Sequence, residues 1–154
     1  MKILVDADSC PRRVREVILR ASKRTGISAV FIANRRMPDV VKARSDMRVV
    51  ADADSLILEE AGDDDLVITR DIPLAAELVG NGIRVINVRG TVYTGENVRE
   101  RLSWRDFMAD LREKGTFVPE SDRFGECDLR EFANAFDREL TRLRRTKQAD
   151  RGDG

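Results

Sequence analysis

The amino-acid sequence predicts an α/β domain: a mainly parallel, Rossmann-like sheet with helices on both faces and a helical C-terminal portion. Short apolar runs recur at residues 2–6, 29–33, 66–69 and 83–88, and stretches of helical periodicity separate them. After Gly90 no further strand-like run appears, while helix-capping patterns multiply. A chain of 154 residues suits one domain with a buried core. That domain is expected over residues 1–146, and the polar, Gly-containing stretch 147–154 is expected as a disordered tail.

Ile3-Leu4-Val5 forms the first strand, and Val14, Val17, Ile18 and Ala21 then recur at helical spacing until Gly26. The second strand is Ala29 to Ala33, followed by a loop, Asn34-Arg35-Arg36-Met37-Pro38. A short third strand is expected over 48–51 and a helix from Ser55 to Ala61, closed by Gly62. Leu66 to Thr69 is the next strand, Ile72 to Val79 a helix ended by Gly80-Asn81-Gly82, and Ile83 to Val88 the last strand. Thr94 opens one short helix and Ser103 with Asp106 a second, while Asp128 with Glu131 caps a third. The third carries an apolar stripe of Leu129, Phe132, Ala133, Phe136, Leu140 and Leu143, suited to core packing or to a homodimer contact between C-terminal helices.

Composition narrows the chemistry. Net charge is zero although charged residues make up 36% of the chain, so electrostatics here are local. The chain has no His, which excludes Ser-His-Asp and Cys-His nucleophilic schemes, HExxH zinc sites and a His general base. Cys10 and Cys127 lack CxxC spacing, no signal peptide precedes the first strand, and no apolar stretch approaches the ~20 residues of a membrane span. A soluble, cytoplasmic protein with reduced thiols is expected. Cys10, near a helix N-terminus, is open to two readings: a thiol of lowered pKa or a buried structural residue.

Any catalysis must then rest on carboxylates, a metal, Lys, Tyr, Ser/Thr or Cys, and the carboxylates form the clearest pattern. Asp6 and Asp8 follow the first strand, Asp71 follows the Leu66–Thr69 strand, and Asp54 lies at the start of a helix. Ligands of open α/β sheets collect outside the carboxyl ends of strands, so these acids are expected to converge. Mg²⁺ or Mn²⁺ is the cofactor expected there, held by Asp6, Asp8, Asp54 and Asp71, because both ions favour hard oxygen ligands. Asp6, Asp8 and Asp71 are the expected catalytic residues. Helix capping competes for Asp8, Asp71 and for Asp52 or Asp54 taken singly. Asp63, Asp64 and Asp65 precede their strand, which spans about 13 Å, so they are expected at the opposite edge as a solvated turn. Arg12, Asn34, Arg35, Thr69, Arg70 and Arg89 are the candidates for contacting phosphate or nucleic acid.

The stretches Val5-Asp6-Ala7-Asp8-Ser9-Cys10-Pro11, Asp65 to Ala76 and Arg89-Gly90-Thr91-Val92-Tyr93-Thr94-Gly95-Glu96-Asn97 closely resemble the YaiI/YqxD family of bacterial proteins. Arg105-Asp106-Phe107-Met108 and Phe132-Ala133-Asn134 extend the resemblance in family order. It implies a PIN-like fold and, by analogy of fold, Mg²⁺- or Mn²⁺-dependent hydrolysis of phosphodiester bonds, with RNA as the first substrate to try. Carried over by position, the PIN acids become Asp6, Asp54 and Asp71, with Thr69 beside the last. The fourth PIN acid is missing, and Asn87 stands nearby. A haloacid-dehalogenase-like phosphatase using Asp6 as nucleophile and Asp8 as acid/base is the enzymatic alternative. A catalytically inactive domain that binds RNA or protein is the third reading.

Overall fold

The computed structural model describes residues 1–116 and 123–152. Its sheet is five-stranded and all-parallel in the order β3-β2-β1-β4-β5, built from β1 (Lys2–Asp6), β2 (Ser28–Ala33), β3 (Asp46–Val49), β4 (Leu66–Ile68) and β5 (Arg84–Ile86). This is the α/β, Rossmann-like parallel arrangement expected from the sequence. The order reverses beside β1, because the chain first steps outward through β2 and β3 and then returns to place β4 on the other side.

Strand side chains alternate, and each face is covered by its own helices. Ile3, Val5, Phe31 and Ile68 pack under α1 (Arg12–Thr25) and α6 (Glu126–Gly152). Leu4, Ile32, Val67 and Val85 pack under α3 (Ala53–Glu60), α4 (Ile72–Gly80) and the start of α5 (Gly95–Glu113). The α6 stripe is part of the first core, with Phe132, Phe136, Leu140 and Leu143 all buried there. Leu129 packs against the same core partly buried, and Ala133 is half-buried.

Several boundaries differ from those expected. β3 starts at Asp46, two residues earlier than the apolar pattern suggests, because backbone pairing with β2 extends to an exposed acid. The loop after β2 is interrupted by a further helix, α2 (Pro38–Lys42), which opens with Pro and is clamped to α1 by Arg15, whose Nε donates to Asp39 Oδ2 at 2.9 Å. That guanidinium holds the Asp39 carboxyl below the usual range even though burial pushes it up. Thr94 caps a single helix through a reciprocal capping box with Asn97, and Ser103 lies inside that helix, so no second helix starts there. Asp128 occupies the first turn of α6 and accepts from the Gly125 N–H, so it stands inside the helix, three residues past Gly125, rather than at the cap position assigned to it from sequence. The helical backbone of α6 also runs through 147–152, where a tail was expected, and residues 153–154 lie outside the described residues.

Asp65 corrects the reading of the acidic turn. It is 1% exposed and accepts from the Lys2 N–H, the Lys2 ammonium at 2.7 Å and the Gly62 N–H. Asp65 is thus a buried clamp on the start of β1, while Asp63 and Asp64 remain exposed, and all three lie at the edge of the sheet away from Asp6 as expected.

Gly90 fixes the C-terminal helix to the sheet. Its φ is +89°, and a Cβ there would lie 2.5 Å from the Glu131 carbonyl oxygen of α6. Both the left-handed backbone and the close approach require glycine. Gly90→Ala is expected to destabilise the domain by at least about 2 kcal/mol. Urea unfolding should show a lower midpoint at unchanged slope.

Candidate functional site: a carboxylate cleft at the switch point

The register Val5↔Ile68 between β1 and β4, carried forward one residue, brings Asp6 beside Thr69. Both are buried, and Thr69 Oγ1 donates to Asp6 Oδ2 at 2.8 Å while accepting from the Asp71 N–H at 3.0 Å. One hydroxyl thus joins the end of β1 to the turn that carries Asp71. Asp71 caps α4, its Oδ1 accepting from the Leu74 N–H at 3.0 Å. Capping and membership of the cleft hold together for this residue.

Past β1 the chain makes one turn of 3-10 helix, Ala7–Ser9, which turns Asp8 to the surface. Asp8 does not cap α1, whose N-cap is Pro11; its Oδ2 accepts from the Asn34 N–H at 2.8 Å, tying the ends of β1 and β2 together. On α3 the two candidate roles separate. Asp52 is the N-cap, accepting from the Ser55 N–H at 3.2 Å and the Ser55 hydroxyl at 2.6 Å, and Asp54 is left in the first turn.

These groups line one open cleft of about 470 Å³: Asp6, Asp8, Ser9, Asp52, Asp54, Arg70 and Asp71, with the Ala51 and Ala53 backbone. It opens at the carboxyl edge of the sheet, where the strand order reverses. All four carboxylates predicted as site residues are brought together. Among the described residues none of Asp6, Asp8, Asp52, Asp54 and Asp71 takes part in an ion pair.

The electrostatic consequence is visible in two of them. Burial, then the negative charges of Asp71 and Asp6 and a hydrogen bond with Asp71, push the Asp54 carboxyl up to about 6. Burial also pushes Asp6 above the usual carboxylate range, with the Thr69 hydrogen bond opposing and the charges of Asp71 and Asp8 adding to the rise. The Ser9 hydroxyl is near enough to favour ionised Asp6 yet makes no well-formed hydrogen bond. Among the described residues, no three His, Cys, Asp or Glu side chains are already drawn together as a chelate. The donor set is one of hard oxygens only.

The phosphate candidates divide. Arg70 lines the cleft, and Asn34 borders it through Asp8. Arg35 is exposed in the same loop as Asn34. Thr69 is 1% exposed and acts by holding Asp6 and Asp71. Arg12 points outward and pairs with Glu16 at 3.5 Å. Arg89 pairs with Asp128 at 3.1 Å and is outside the cleft lining. Asn87, standing near the missing fourth acid, is buried and organises its own loop, accepting from the Arg89 and Thr91 N–H groups. Ser9 was not singled out from sequence; only its place in the turn between Asp8 and Cys10 could have pointed to it.

Cys10 is 4% exposed, and burial pushes its thiol up to about 12 against the weaker pull of Arg15. Of the two readings, the buried structural thiol stands and the lowered pKa does not.

The fold and cleft define a class: a parallel α/β domain with a carboxylate cluster at its topological switch point. Residues 4–142 match the family described as "Uncharacterized BCR, YaiI/YqxD family", and the chain belongs to it. It is 47% identical over 152 residues to a UPF0178 protein of Myxococcus xanthus, covering 96% of this chain and 99% of that one. It is also 47% identical over 160 residues to one from Treponema pallidum, at 99% and 90% coverage. A relative from Syntrophobacter fumaroxidans is 44% identical over 149 residues, at 92% and 95% coverage. No solved structure matches the chain significantly. Among the described residues no helix is long and apolar enough to cross a membrane.

Two measurements follow. In the native protein a thiol reagent should label only Cys127, which is exposed, and reach Cys10 on unfolding. A carboxyl with a raised folded-state pKa stabilises the fold fully below its unfolded value of 3.8, and that contribution is lost as pH rises through about 6. In metal-free buffer Asp54→Asn should therefore raise Tm by a few degrees near neutral pH, with the gain shrinking as the pH is lowered below that range.

Proposed function

We propose that this cleft hydrolyses phosphodiester bonds, with RNA as the substrate, using Mg²⁺ or Mn²⁺ held by Asp6, Asp54 and Asp71, with Asp8 at the rim. One observation carries the reading: carboxylates from β1, α3 and the β4–α4 turn share one cleft with no cationic partner of their own, and two of them have raised pKa values. A divalent ion there would neutralise that charge, lower the pKa of a bound water and offset charge on the scissile phosphate. Mg²⁺ sites commonly use one or two carboxylates and complete their shell with water and substrate oxygens, so the assignment does not require every one of these acids on a single ion.

The protein's own groups divide the remaining work. Thr69 holds Asp6 in place and gives the Asp71 turn its entry geometry, so it positions two ligands without touching substrate. Arg70, at the lip, supplies the bidentate contact for a phosphate oxygen pair. Asn34 and Arg35 extend the contact surface along the end of β2. The phosphatase alternative calls for a Lys near the nucleophilic carboxylate, and the cleft lining contains none.

The test is incubation of labelled RNA and DNA with Mg²⁺ or Mn²⁺, comparing wild type with three variants. Asp6→Asn and Asp71→Asn are expected to abolish metal-dependent cleavage, and Thr69→Val to reduce it by roughly ten- to a hundredfold. Cleavage of equal rate in all of them would reject the assignment. RNA retarded in a gel without cleavage under either metal would favour the binding-domain reading instead.

A further inference from the structure

The two edges of the sheet are finished differently. The outer side of β5 is closed by residues 91–93: Val92 forms an antiparallel bridge with Ile86, the Tyr93 N–H donates to the Val85 carbonyl, and the Asn87 N–H to that of Thr91. β3 pairs only with β2, and among the described residues no strand pairs with its outer side. A groove of about 490 Å³ lies there, lined by Arg36, Arg44, Ser45, Asp46, Met47 and Val49 together with Val41. Val49 is 49% exposed and Val41, beside it, 36%. Open edges with exposed apolar residues are templates for strand pairing.

We propose that β3 pairs antiparallel with β3 of a second copy of this chain, joining two sheets about a twofold axis at Met47. The backbone parity fits. The Val50 N–H donates inward to the Ala33 carbonyl, so the even residues of β3 face β2 and the N–H and C=O of Met47 and Val49 face outward. An axis at Met47 makes the two Met47 residues a hydrogen-bonded pair, each donating to the carbonyl of the other.

Charge fits the same register. With Met47 opposite its own copy, Asp46 lies opposite Arg48 of the copy, and Arg48 opposite its Asp46, on one face of the joined sheet. An isologous interface needs such self-complementarity. Within one chain Arg48 also bonds Glu60 and lies 3.5 Å from Asp46, so the guanidinium is already held on that face. On the other face the two Met47 side chains meet, with Val49 and Val41 flanking them.

Sedimentation of the full chain from low to high micromolar concentration tests this. Wild type is expected to reach twice the 17.4 kDa chain mass. Met47→Pro should hold the single-chain mass with an unchanged circular-dichroism spectrum, because proline at an outward-facing position of an edge strand removes the outward donor and leaves the backbone bonds to β2 in place. Asp46→Arg should also give the single-chain mass, by placing two cations opposite each other, and adding Arg48→Asp should restore the doubled mass. Met47→Cys in a Cys127→Ser background supplies an independent readout, a disulfide-linked dimer on mild oxidation. Wild type that stays at the single-chain mass throughout overturns the proposal. So does a dimer that survives both Met47→Pro and Asp46→Arg, which would lie on another surface, such as the exposed Trp104 and Phe107 of α5.

Discussion

The organisation of this domain follows from one hydroxyl held between two acidic segments. The Thr69 hydroxyl donates a hydrogen bond to Asp6 and accepts one from the Asp71 N–H, with 1% of the residue's surface exposed. Without that bond Asp6 would be a buried carboxylate facing further negative charge, an arrangement that costs several kcal/mol in the absence of compensation. The bond offsets only part of the repulsion, since Asp6 and Asp54 still have raised pKa values. The cleft therefore stores unfavourable charge at the only edge of the sheet where β1 and β4 end side by side.

Burying that much charge requires a rigid surround. α1 and α6 cover one face of the sheet, and α3, α4 and α5 the other, so the ends of β1 and β4 cannot separate without opening a packed core. At the far edge Asp65 and Lys2 lock the start of β1 to the turn before β4. The register that aligns Asp6 with Thr69 is thus fixed at both ends of the shared ladder.

Much of this was legible in the sequence. Runs such as Ile3-Leu4-Val5 are apolar on consecutive residues because both faces of the sheet are covered, and that pattern identifies a parallel strand. Asp6, Asp54 and Asp71 could be placed at one edge because each follows or precedes its element by a fixed offset. Other features depend on long-range contacts that leave no local pattern. Asp65 reads as a solvated turn, and its burial depends on Lys2, 63 residues away. α2 is held by Arg15 from another helix, and five residues carry too little periodicity to reveal it. Ser103 and Asp106 match a capping box but lie in the middle of α5, where helix propagation from Thr94 outweighs a second start. The partition of the arginines was also hidden, because the engagement of Arg89 depends on where Asp128 falls in three dimensions.

The dependence on α6 bears on how the chain is made. Ile3, Val5 and Phe31 are synthesised first, yet part of their cover, Phe132, Phe136 and Leu140, comes from the last quarter of the sequence. Gly90 meets that helix through backbone. While the polypeptide is still on the ribosome, one side of the sheet is only half shielded, and the nascent protein depends on rapid completion or on chaperone cover to avoid self-association.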